Sequence, residues 1–208
     1  MVLVSHKYKF IYIKNGKVAG TSVEAFFGKY CIDPKKTYDY SEAQEEHIDE
    51  FGIIGSRGVN LTNKWKNHID AKTIRSYLDD QMFDEYFKFC VIRNPYDKMV
   101  SSYFFNKSKL SFKEFVKRNH CVSNIIIDNK NVCDYCIRFE NLEEDIKIVC
   151  KKLKLDSYDL SLLPRYKIVN TGESKRKHWS EYYDDETKRI VYDKHKIEFE
   201  LFGYDSLL

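Results

Sequence analysis

Proline and glycine are scarce in this chain. Its 208 residues hold only 3 Pro and 8 Gly, which argues against a loop-rich or disordered polymer and makes each of those residues worth reading singly. Long apolar runs are missing as well. No stretch approaches the roughly eighteen apolar residues of a membrane span, and the N-terminal M-V-L-V-S-H-K lacks the sustained apolar core of a secretory signal. The expectation is a soluble, cytoplasmic protein without a membrane span. Nor does one sign of charge dominate. Lys and Arg number 35 against 32 Asp and Glu, a formal net charge of +3, too mild to imply nucleic acid as a partner yet suited to binding anions locally. The six cysteines, at 31, 90, 121, 133, 136 and 150, are dispersed. Only Cys133 and Cys136 lie close. A lone C-x-x-C lacks the second ligand pair of a structural zinc site, so no metal is expected. This one also leads into a strand-like run, where a redox C-x-x-C opens a helix. All six are therefore read as reduced thiols.

What is present suits a globular core. The length fits one domain spanning 1–208, and 43% hydrophobic against 32% charged residues is an ordinary balance. Residues 8–13, Tyr-Lys-Phe-Ile-Tyr-Ile, read as a strand. A polar turn from Lys14 to Gly20 follows, and Val23, Phe26, Phe27 and Tyr30 then recur on one face of a helix. Residues 33–66 show no period and predict irregular structure, a candidate acceptor-facing insertion. A helix is predicted over 71–78 and a buried strand over 87–92. Asn94 and Pro95 then open a helix, as an N-cap and a first-turn residue. A short strand over 136–139, an amphipathic helix carrying Leu142, Ile146, Val149 and Leu153, and a C-terminal helix from Asp184 to near Gly203 complete the series. Strands alternating with helices predict an α/β fold, with a central, mainly parallel sheet flanked by helices in a three-layer, P-loop-like arrangement.

Two segments carry chemistry. The first is Lys17-Val18-Ala19-Gly20-Thr21-Ser22, between strand and helix. A loop there offers backbone N–H groups at a helix N-terminus, to which Thr21 and Ser22 add hydroxyls and Lys17 a positive charge. An ordinary turn with a capped helix would look similar. Its Lys precedes the Gly, the reverse of the Walker order, which counts against a standard ATPase or kinase. The second runs Arg93-Asn94-Pro95-Tyr96-Asp97-Lys98-Met99-Val100-Ser101. Arg93 ends a predicted strand, where open α/β sheets bind ligands. Ser101, two helical turns on, lies off the apolar stripe with Asn94 and Lys98, so the two side chains could grip one phosphate.

Taken together, these segments resemble the PAPS-dependent sulfotransferases (PAPS is 3′-phosphoadenosine 5′-phosphosulfate), nearest the carbohydrate branch that includes heparan sulfate 2-O-sulfotransferase. K-V-A-G-T-S is similar to that family's 5′-phosphosulfate loop, F-K-F-C-V-I-R-N-P-Y-D-K-M-V-S-S-Y to its 3′-phosphate motif, and I-R-F-E-N-L with the terminal F-E-L-F-G-Y to its distal half. One departure is Gly16, where the family commonly has Pro.

The resemblance implies transfer of a sulfuryl group from PAPS to an acceptor hydroxyl, on a carbohydrate by preference, leaving PAP and requiring no metal. It implies that Lys17 contacts the phosphosulfate, that Ala19, Gly20, Thr21 and Ser22 cradle the 5′-phosphate, and that Arg93 and Ser101 bind the 3′-phosphate. The branch places a catalytic His between its two phosphate motifs, which makes His68 the candidate base, with His47 and Glu24 behind it. The helical period turns Glu24 toward solvent. Lys175 and Arg176, with Asn170, fall where a similar segment closes over the nucleotide. Arg138 and Glu140 are read as structural, and Trp179, Tyr182 and Tyr183 as core packing ahead of sugar stacking. A nucleotide-kinase-like phosphotransferase and a non-catalytic nucleotide-binding domain stand as alternatives.

Overall fold

A computed structural model describes residues 1–38, 40, 43–58, 63–121, 123–163 and 177–206. The chain divides into two compact units, one made of Met1–Ile92 with Asn124–Tyr166, the other of Arg93–Ser123 with Lys167–Leu208.

The first unit is built on a six-stranded sheet. Its strands are β1 (Val2–Ser5), β2 (Phe10–Ile13), β3 (His47–Ile48), β4 (Gly52–Ile54), β5 (Phe87–Ile92) and, after the two-residue strands β6 (Ile126–Ile127) and β7 (Lys130–Asn131) of a separate hairpin, β8 (Tyr135–Arg138). Their order is β3-β4-β1-β2-β5-β8. β2, β5 and β8 run parallel; β1 pairs antiparallel with both β2 and β4, and β3 with β4. The parallel strands are the three that hydrophobic pattern predicts, and the α/β class holds. The antiparallel wing is what pattern does not announce: Val2–Ser5 is only four residues long, and β3 and β4 fall inside the segment expected to be irregular.

Strand residues alternate between faces. Leu3, Phe10, Tyr12, Phe89, Val91 and Ile137 share one core with Val23, Phe26 and Phe27 of α1 (Gly20–Phe27) and with Ile146, Val149 and Cys150 of α6 (Leu142–Lys152). The alternate positions Val2, Val4, Ile11, Ile13 and Cys90 are also fully buried. Strands covered on both faces read as continuous apolar runs. Two short helices, α2 (Ala71–Tyr77) and α3 (Asp80–Glu85), precede β5, each capped by an aspartate side chain, Asp70 and Asp79. All six cysteines are free thiols. Cys90 and Cys136 are register partners with sulfurs 3.6 Å apart, and the hydrogen bond with Cys90 lowers the pKa of the Cys136 thiol.

The second unit is helical: α4 (Pro95–Phe105), α5 (Phe112–Arg118) and α7 (Asp185–Phe202). Its core joins Tyr96, Met99, Phe115, Val116, Val191 and Phe199. Trp179 stacks on Tyr96 with planes 10° apart, Tyr183 meets Tyr96 edge-on, and Tyr182 meets Phe104 edge-on. These rings are packing elements, as expected. Lys98, expected off the apolar stripe, is buried. Its ammonium lies 3.0 Å from Glu198 and donates to the Cys121 carbonyl. Beside it, α7 kinks at His195. That imidazole is 1% exposed, its Nδ1 3.0 Å from Glu198 and its ring 4.7 Å from that of His120. Among the described residues no helix is long and apolar enough to cross a membrane.

Burial holds the His195 pKa below its usual 6.5 and outweighs the opposing pull of Glu198. The folded state thus keeps this ring neutral while the unfolded chain takes up a proton below about 6.5, so its stability contribution is present above that pH and lost as pH falls. The urea midpoint should drop between pH 7 and pH 5.5, and His195→Gln should flatten that part of the profile. An unchanged profile in the variant would assign the pH dependence to other groups.

Candidate functional site

β2 ends at Ile13, and the chain turns through residues 14–19 into α1. Two non-glycine residues of this turn, Lys17 (φ 62°) and Ala19 (φ 59°), hold left-handed backbone conformations. Such conformations cost about 1–3 kcal/mol each and persist only where surroundings enforce them. Three anchors do so. The Asn15 side chain donates to the Val91 carbonyl of β5 (3.0 Å). Asn124 donates its backbone N–H to Asn15 Oδ1 (2.8 Å) and its side-chain amide to the Lys14 carbonyl (2.9 Å). Val18 is buried in the core.

Lys14 holds the turn from beneath. Its side chain runs beneath Gly20, where an added Cβ would lie 2.9 Å from Lys14 Cγ and 3.2 Å from the Asn15 carbonyl. Glycine is required there for space. Lys14 Nζ then meets Glu24 Oε2 at 2.6 Å, and Arg57 Nη1 approaches the same oxygen at 3.4 Å. All three side chains are at most 5% exposed. Glu24 is therefore no solvent-facing residue, and the helical period misplaces it. Seven of the eight α1 residues are buried, so α1 has no wet face for the period to find. With two cations on its carboxylate, Glu24 is an anchor and a poor candidate for a base. Arg57, just beyond β4, also lays its guanidinium 3.9 Å from the centroid of the Tyr40 ring.

Above these anchors lies the first turn of α1. A helix cannot satisfy its own first N–H groups, and here they belong to Gly20 and Thr21. The Ser22 amide is turned back to the Ala19 carbonyl. Thr21 and Ser22 are 9% and 4% exposed, and Lys17 is half-buried. The residues expected in the loop are thus brought together on one turn with the chemistry of an anion cradle.

His68 is exposed, in the turn before α2, and itself adopts φ 55°. Asn124 links that turn to the loop: its carbonyl accepts the Ala71 N–H (2.7 Å) while its other groups hold Lys14 and Asn15. His47 lies on β3, three strands from β2, with its Nε2 2.8 Å from Asp49 Oδ2. In the second unit, Arg93 directly follows β5 in the chain. Its Nε donates to Asp97 (2.7 Å), and Asn94 caps α4 by accepting the Tyr96 N–H. Arg93 and Ser101 are 9% and 7% exposed. Asp97 and Ser101 lie one turn apart on α4, and Arg93, two residues before the helix, reaches Asp97 from its N-terminal side. Arg138 and Glu140 lie at the end of β8, where the Arg138 amide donates to Asp145. Asn170, Lys175 and Arg176 lie outside the described residues.

Arg57 and Asn124 have no sequence signature. Each works through partners far away in the chain, and nothing in the local pattern marks them.

Comparison with known proteins bears on what this arrangement does. The model of the sulfotransferase family matches residues 1–205. A protein of Archaeoglobus fulgidus described as uncharacterized is 38% identical over 98 residues, covering 41% of this chain and 82% of its own. No solved structure matches.

The Lys14–Glu24 pair makes a testable demand. Removing one partner of a buried pair leaves an uncompensated charge, at a cost of about 3–5 kcal/mol. Glu24→Ala should lower the unfolding free energy by that amount in urea titrations, and Glu24→Gln by less. A loss below about 1 kcal/mol for Glu24→Ala would show that the pair does not hold the loop.

Proposed function

The chain belongs to the sulfotransferase family, and on that basis we propose that it is an enzyme transferring a sulfuryl group from PAPS to an acceptor hydroxyl on a carbohydrate. The two units act as one sulfotransferase domain, a reading the match over residues 1–205 supports. The observation that carries the donor assignment is the turn at residues 17–22: a lysine and an alanine in left-handed conformations, two hydroxyl side chains and a helix start, fixed from beneath by buried ion pairs. These donors fit a phosphate in number and type.

Bound PAPS supplies the sulfuryl group and a phosphate leaving group. The chain's own residues do the rest. Gly20 and Thr21 offer backbone N–H groups, and Thr21 and Ser22 hydroxyls, to the 5′-phosphate, with Ala19 shaping the turn. Lys17 neutralises charge that grows on the bridging oxygen as the S–O bond breaks. Arg93 and Ser101 hold the 3′-phosphate, which distinguishes this nucleotide from ATP. His68 takes the proton of the acceptor hydroxyl as that oxygen bonds to sulfur. Positioning and electrostatic stabilisation dominate, as in phosphoryl transfer.

Calorimetric titration tests the donor. PAP should bind far more tightly than ADP and without Mg²⁺, and Arg93→Ala should weaken PAP at least tenfold. Mg²⁺-dependent ADP binding would favour a nucleotide-kinase-like enzyme, and binding of neither nucleotide a non-catalytic domain. With labelled PAPS and a panel of glycans, His68→Ala should cut turnover by roughly 10²–10⁴-fold while PAP affinity stays within a factor of about two. Undiminished turnover would remove His68 as the base.

A further inference from the structure

The first unit contains a cleft of about 530 Å³ at the other end of α1 from the loop. Lys7 and Tyr8 come from the turn between β1 and β2, Lys29 and Tyr30 from the 3₁₀ turn after α1, and Lys36 and Tyr38 from the segment that follows. Such a volume is that of a small-ligand site. The length of α1, about 10 Å at 1.5 Å per residue, separates it from the loop, so it is a different site from the phosphosulfate turn.

Its chemistry selects a ligand class. Three lysines line it against one acidic group, Asp156. The tyrosines are held in place: Tyr8 donates to Asp156 (3.1 Å), Tyr30 to the Ser157 carbonyl (2.9 Å), and their rings meet edge-to-face at 5.4 Å. Lys7 and Lys29 lie over these rings, with ammonium-to-centroid distances of 4.8 and 5.0 Å. Fixed tyrosines present a flat contact surface at little cost in conformational entropy. Lysines on long stems above them place positive charge where a carboxylate or sulfate on a stacked ring would sit. Asp156 already answers Lys7, at 3.1 Å; a purely apolar ligand would strip the Lys29 and Lys36 ammonium groups of water, and a neutral sugar would bring them no counter-charge.

We propose that this cleft binds a carboxylate- or sulfate-bearing saccharide unit, a second contact for an acceptor chain whose reactive hydroxyl lies at the far end of α1. The proposal rests on the reading of the acceptor as a carbohydrate. It gives the segment beyond α1, around Pro34–Tyr38, the acceptor-facing role expected from the sequence.

The test is calorimetric, on the whole chain with PAP present. The probes are a uronate-containing hexasaccharide and a neutral hexasaccharide of the same length. The acidic one should bind at least tenfold more tightly. Lys29→Glu/Lys36→Glu, a change at two exposed lysines, should remove that preference while PAP affinity and circular dichroism stay unchanged; Lys29→Ala/Lys36→Ala should remove part of it. Equal affinities in wild type and the charge-reversed protein, equal binding of both probes, or no binding of either would each overturn the proposal. Sulfation of the hexasaccharide is scored separately. Charge-dependent binding without sulfation leaves the cleft standing and sinks the acceptor reading, whereas sulfation with unchanged affinity in the variants does the reverse.

Discussion

A charged lysine end that is 5% exposed survives in a protein only if a counter-charge is held against it. In this protein that constraint fixes the arrangement of the loop. Lys14 is the first residue after β2, and Glu24 lies on the second turn of α1. Their contact at 2.6 Å joins the end of the strand to the body of the helix, and the five residues between Lys14 and the start of α1 have little choice but to turn over the top. Gly20 lies where that lysine passes, and Arg57 brings the β4 side of the sheet to the same carboxylate. Asn15 and Asn124 fasten the other flank to β5 and to the start of α2. The geometry of the exposed surface is thus decided by polar groups beneath it.

The helical unit repeats the device. Lys98 of α4 is 2% exposed and meets Glu198 of α7, whose carboxylate also holds His195 at the kink. Lys98 falls inside the Arg93–Ser101 stretch, so in each unit a buried lysine sits within or beside the segment that carries anion-binding side chains. A buried charged pair is weak support for stability when compared with an apolar replacement. What it supplies in both units is one defined position for the neighbouring backbone.

Much of the frame was legible in the sequence because it rests on local signals. Phe87–Ile92 appears as a strand with the bounds expected from its unbroken apolar run, and Asn94 and Pro95 open α4 as capping chemistry requires. The loop was legible from residue types at a strand-to-helix junction. The antiparallel wing was not, since four residues in β1, three in β4 and two in β3 are too few to establish a period. The helical period misplaces Glu24 for a related reason: period locates a face only on a helix that has a dry side and a wet one, and α1 is buried nearly all round. Arg57 and Asn124 were invisible. Their partners are 33 and 109 to 110 residues away in sequence, and such pairings follow from the folded topology alone.

The left-handed dihedrals at Lys17 and Ala19 have a consequence for recognition. A turn bent before anything arrives has no disorder left to surrender, so the entropic toll of shaping the receptor is charged to folding and is absent from docking. An anion received there would meet a rigid mould, with association governed by diffusion and electrostatic steering. Glycine at either position would relax the bend and return part of that toll to the docking event.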